Sequence, residues 1–111
     1  MAAVRSAPLF VGSITLGPGE QTIYTSPPDV ITLVKSFYLY NSSGEVLAWN
    51  LQHVALSGSR AILAIDSALA AAAFVTPEVW AVLDPADELQ VYSDQAGTSA
   101  VVGCYGAQLT G

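Results

Sequence analysis

Clusters of turn-forming residues punctuate this chain, and they limit how long any regular element between them can be. They are Gly17-Pro18-Gly19, Ser26-Pro27-Pro28-Asp29, Asn41-Ser42-Ser43-Gly44, Ser57-Gly58-Ser59, Asp84-Pro85-Ala86-Asp87 and Asp94-Gln95-Ala96-Gly97. Proline presets φ and lacks an N–H, glycine reaches positive φ at no steric cost, and Asp, Asn and Ser bond back to neighbouring backbone. The runs between the clusters are rich in Val, Ile, Leu, Tyr and Phe, side chains that suit a pleated, half-buried surface. Strands are expected at 9–16, 20–25, 30–41, 45–56, 60–66, 73–83, 88–93 and 99–109. Eight short strands predict an all-β fold, a single antiparallel β-sandwich or jelly-roll-like domain over residues 1–111, with 1–8 as an amino-terminal arm.

Side-chain parity separates two kinds of strand. Within 45–56, Leu47, Trp49 and Leu51 share one face while Ala48, Asn50 and Gln52 share the other, so one side is core. Within 30–40, Ile31, Leu33, Phe37 and Leu39 alternate with Val30, Val34, Tyr38 and Tyr40, and both faces read as apolar. The second apolar face needs a cover, and a neighbouring subunit is the economical one. Val30, Val34, Tyr38 and Tyr40, together with Trp80 and Tyr92, are therefore the candidate interface residues. Asp66 or Ser67 could cap a short helix through residues 68–73, but a helix that short is marginal in water and a turn is expected. Pro77 cannot donate to a ladder, which puts its neighbourhood at a sheet edge or bulge.

Composition points the same way. Apolar residues make up 52% of the chain and charged residues 11%, well under the usual charged share of about a quarter. Part of the apolar surplus should be covered by partners. Nine acidic residues face three basic ones for a net charge of −6; Arg5, Lys35 and Arg60 are too scattered to track phosphates, so no nucleic acid partner is expected. The longest uninterrupted apolar run, Ala68 to Val75, is well short of the ~20 residues a membrane-spanning helix needs, so no membrane partner is expected. Residues 1–12 lack the apolar stretch of a signal peptide, which suggests synthesis in the cytoplasm. Cys104 is the single cysteine, which rules out an intrachain disulfide and suits a small core residue.

Chemistry is sparse. His53 is the one histidine, and parity sets it at the end of the Leu47, Trp49, Leu51 row, where it is expected to cap core rather than catalyse. No serine lies in a Gly-x-Ser-x-Gly turn. Asp84, Asp87 and Glu88 form the tightest acidic cluster, but Asp-Pro-x-Asp is turn composition and lacks the spacing of a dedicated Ca²⁺ loop. No catalytic residue, cofactor or metal is expected, and the chain reads as a protein that is not an enzyme. Trp49, Trp80, Tyr38, Tyr40 and Tyr92 could form a sugar-stacking platform, which makes a carbohydrate-binding module an alternative. Aromatic residues at strand spacing suit core or interface better.

Three segments carry a resemblance: Thr22-Ile23-Tyr24-Thr25-Ser26-Pro27, then Val34-Lys35-Ser36-Phe37-Tyr38-Leu39-Tyr40-Asn41-Ser42-Ser43-Gly44, and later Trp80-Ala81-Val82-Leu83-Asp84-Pro85-Ala86-Asp87-Glu88-Leu89-Gln90-Val91. In order and spacing they resemble small β-sandwich virion structural proteins of tailed bacteriophages. The resemblance implies a non-enzymatic part of a phage particle, located in the virion. It would be a cement protein decorating the capsid, or alternatively a tail accessory protein. The implied partners are other copies of the chain and the major capsid or tail protein; cement trimers on a capsid fit best. At Ala86 that group usually has glycine, so the turn here is expected to avoid positive φ.

Overall fold

The computed structural model describes residues 3–17, 21–93 and 98–110. The Asp94–Gly97 turn and most of the Gly17–Gly19 turn lie outside the described residues. The chain forms β1 (Ala3–Leu16), β2 (Gln21–Thr25), β3 (Val30–Asn41), β4 (Leu47–Val54), β5 (Arg60–Leu69), β6 (Phe74–Val75), β7 (Ala81–Leu83), β8 (Glu88–Tyr92) and β9 (Thr98–Thr110). They build two antiparallel sheets. The first runs β1-β9-β3, with β6 and β7 sharing the far edge of β3; the second runs β2-β8-β4-β5. The all-β sandwich expected from the sequence is the fold observed.

The core lies between the sheets and is supplied by alternate residues of each strand. Leu16, Leu39, Val102 and Cys104 come from the first sheet and Leu47, Trp49, Leu51, Leu89 and Val91 from the second. Phe37 and Trp49 meet across the gap with ring centroids 5.6 Å apart. Cys104 is wholly buried, and burial pushes its thiol up to about 12.

Several details differ from the expectations drawn from the sequence. Residues 3–8 are not a free arm; they continue β1, with Ala3 opposite Thr110. The fifth strand runs on to Leu69 rather than ending at 66, and the turn expected after it is formed by Ala70–Ala73. The strand expected over 73–83 is split into β6 and β7, and the segment between them, which holds Pro77, leaves the sheet.

Another difference is a bulge. Pairing of β3 with β9 shifts between Val34 and Ser36, which inserts one residue and reverses the alternation beyond it. Thr32 and Val34 face the core before the shift, and Phe37, Leu39 and Asn41 face it afterwards. Val34, expected on the outer face, is fully buried, and Val30, on the same parity, is half-buried. The outward residues of β3 are Ile31, Leu33, Ser36, Tyr38 and Tyr40. Gly106 opposes Val34, and a Cβ there would collide with the Leu33 carbonyl oxygen. Only glycine lets the bulge sit this close.

Three turns share one pattern. Val30 N–H donates to the Pro27 carbonyl (3.2 Å), Ala73 N–H to Ala70 (3.2 Å) and Asp87 N–H to Asp84 (3.0 Å). The third residue of each has positive φ: Asp29 62°, Ala72 59° and Ala86 70°. This is the signature of a type II turn, normally met by glycine or asparagine. The expectation that Ala86 avoids positive φ is therefore wrong: the Pro85-led turn imposes that conformation on alanine.

Candidate interaction surface

The outward side chains of the first sheet line up in rows across its strands. Val82, Leu33 and Ala107 form one row, Ile31 and Leu109 the next towards the sheet end. Ser36, Tyr105 and Pro8 form a third, Tyr38, Gly103 and Val11 a fourth, and Phe74, Tyr40, Val101 and Ser13 a fifth. None of these is charged. The Tyr38 ring lies over Gly103, in the space a Cβ would occupy, so the ring covers backbone that glycine leaves bare. Several members of these rows stand out in solvent: Phe74 is 69% exposed, Val82 48% and Tyr105 40%.

Where β6 ends and β7 begins, residues 76–80 swing away from β3 opposite the Lys35–Ser36 bulge. The result is an open groove of about 710 Å³. Lys35, Ser36, Tyr38 and Tyr105 line one side, and Thr76, Pro77, Glu78 and Trp80 the other. Val79 turns inward and is buried, while its neighbour Trp80 is 70% exposed. Lys35 and Glu78 are exposed as well. The volume is that of a typical ligand cleft, and an exposed indole beside two tyrosines is the composition of an interface anchor.

The outer side of the second sheet is different. Gln52 Nε2 donates to Gln90 Oε1 at 3.0 Å, Gln90 Nε2 to Thr22 Oγ1 at 3.4 Å and Thr22 Oγ1 to Glu88 Oε1 at 2.5 Å. Arg60 Nη1 also reaches Gln90 Oε1, at 3.5 Å. Ile62 and Ile65 are exposed beside this chain, and Tyr92 is half-buried opposite Asn50.

The six candidate interface residues are thus divided. Tyr38, Tyr40 and Trp80 belong to the first outer face and its groove, Tyr92 to the opposite side of the sandwich, and Val30 and Val34 to the inner side of β3. Phe74, Val82 and Tyr105 stand on the same outer face but are not among the six. Tyr105 was legible in principle, because Val101, Gly103 and Tyr105 alternate with the core residues Ala100, Val102 and Cys104. Of the aromatics weighed as a sugar platform, Trp49 is core. Its indole Nε1 is a buried side-chain atom with no hydrogen-bond partner among the described residues.

His53 does meet a carboxylate. Its Nε2 lies 2.8 Å from Asp87 Oδ2, which also accepts the Asp84 N–H at 3.0 Å, while Oδ1 accepts the Leu56 N–H at 3.0 Å. Burial pushes the Asp87 carboxyl up. The hydrogen bonds from His53, Leu56 and Asp84, and the charge of His53 when protonated, outweigh it and hold the group below its ordinary value. Both oxygens are committed to donors, so Asp87 is a poor base; it clamps the 84–87 turn to the end of β4. Among the described residues no group of three or more His, Cys, Asp or Glu side chains is placed to hold a metal ion.

No protein-family model and no curated protein matches the sequence. Solved structures do share the fold. A protein of the T13 infectious bursal disease virus particle superposes with a TM-score of 0.68 at 8% identity, over 98% of this chain and 31% of the viral one. The VP2 subviral particle of that virus gives 0.59 at 12%, over 98% and 33%. A protein of Bacillus endospore appendages, which form disulfide-linked pili, gives 0.62 at 11%, over 99% and 90%. The chain spans about a third of the viral proteins' length and nine-tenths of the appendage protein's. At these identities the likeness is one of fold.

Proposed function

We propose that this chain is a non-enzymatic structural protein that self-associates within a virus particle, as a capsid decoration protein of the tailed-phage type. The observation that carries the reading is the first sheet's outer face: five rows of side chains without a charge, several of them large and solvent-exposed. A chain that met only water would have little reason to keep such a face. The fold it shares with proteins of a viral particle supports the same reading, as do the three tailed-phage-like segments.

The likeness to a protein of disulfide-linked pili favours a different assembly, but Cys104 argues against that chemistry here. It is the chain's single cysteine, it is fully buried, and its thiolate is strongly disfavoured. A linking disulfide would require it to leave the core.

Sedimentation velocity over a wide concentration range, followed by co-sedimentation with undecorated capsids, tests the proposal. Self-association together with saturable capsid binding is expected. A monomer at every concentration that binds neither capsids nor tails would overturn it, and binding to tails alone would move the protein to a tail accessory role.

A further inference from the structure

We infer that the groove between the β3 bulge and residues 76–80 is the centre of a contact between two copies of this chain, related by a two-fold axis along the groove. The inference rests on the self-association proposed above and names the face and its symmetry. Two observations lead to it.

The first is charge. Each copy carries a net charge of −6, so two copies repel unless they meet where acidic side chains are absent or answered. The outward rows of the first sheet are uncharged, and the two charged residues that line the groove are of opposite sign, Lys35 on the β3 wall and Glu78 on the other. A two-fold axis along the groove places the Lys35 wall of each copy over the Glu78 wall of its mate, so the pair forms twice. Such reciprocity is a property of an isologous contact; a three-fold ring would bring two different surfaces together.

The second is the anchor. Trp80 is 70% exposed beside Lys35, Tyr38 and Tyr105. Under the same axis the indole of one copy lies over the Lys35 and Tyr38 wall of the other, where ring stacking and a cation–π contact can form.

Equilibrium sedimentation of the full chain tests this, with thermal unfolding as the check that each variant is folded. The wild-type protein is expected to dimerise. Trp80→Ala should weaken the dimer about 100-fold, and Lys35→Glu and Glu78→Lys about tenfold each. The double variant K35E/E78K should return to within about threefold of wild type, because its charges still complement across the axis. A wild-type oligomer indifferent to Trp80→Ala, or single reversals that the double variant fails to rescue, overturns this contact and leaves self-association standing. A wild-type monomer, including one that binds glycans through the groove, overturns both.

Discussion

On the second sheet, outward Gln52, Gln90, Thr22 and Glu88 bond to one another from strand to strand. At the equivalent outward positions of the first sheet stand Leu33, Tyr38, Tyr40, Val101 and Tyr105. Both sheets are antiparallel and both cover the same core, so backbone does not explain the contrast. The second face satisfies its polar groups within itself, and its exposed Ile62 and Ile65 stand at the margin of that polar chain. The first face holds few groups that water can serve, and the chain closes its bare glycine with an aromatic ring. One molecule therefore has a side finished for solvent and a side finished for contact.

The most damaging way to break that comparison is to loosen the frame both faces share. Asn41 is buried, and its Nδ2 donates towards the carbonyls of Glu45, Leu69 and Ala70 at 2.7, 3.0 and 3.2 Å. Its Oδ1 accepts from the N–H and hydroxyl of Ser43. Asn41→Ala strands those groups and should cost about 3 kcal/mol, read by urea denaturation.

A sharper comparison uses two residues of matched exposure, Val82 at 48% on the first face and Ile62 at 52% on the second. Val82→Glu should weaken self-association roughly 100-fold, or ~2.7 kcal/mol, whereas Ile62→Glu should leave it unchanged. Equal effects in sedimentation would erase the distinction between the faces.

Asp87 joins the faces, because its turn carries the chain from β7 in one sheet to β8 in the other. Its folded pKa lies below the ordinary value. Its contribution to stability is therefore complete above the ordinary carboxylate range and is lost as pH falls below about 4 towards the folded value. Asp87→Asn should cost about 1–2 kcal/mol at pH 7, and the gap from wild type should narrow on acidification when both are unfolded chemically at pH 7 and pH 3. The smallest expected effect lies in the same turn. Ala86→Gly relieves positive φ and should add about 0.5–1 kcal/mol, seen as a rise in Tm, with both faces undisturbed.

Turn chemistry made most of the fold legible. Pro28-Asp29 and Asn41 to Gly44 end and join strands where their residue types say they should, and parity placed Trp49, Leu51 and His53 correctly. The bulge was illegible, because one inserted residue looks the same in sequence as a strand apolar on both sides. Val34 was misassigned for that reason, although the charge-poor outward side of β3 is real. The separation of β6 from β7 was hinted at by Pro77 but not the groove it opens, since the groove needs the bulge on the opposite wall. Alanine itself does not announce positive φ at position 86; the neighbouring Pro85 and the hydrogen bond that closes the turn impose it.

The pairing of Ala3 with Thr110 has a mechanical meaning. Because β1 and β9 run antiparallel, a pull applied to both of those residues opens their ladder one hydrogen bond at a time, like a zip. A load that enters through the broad outer face instead spreads over every rung of the first sheet at once. A particle built from such units would resist pressure across its shell far better than tension delivered through the two ends of β1 and β9.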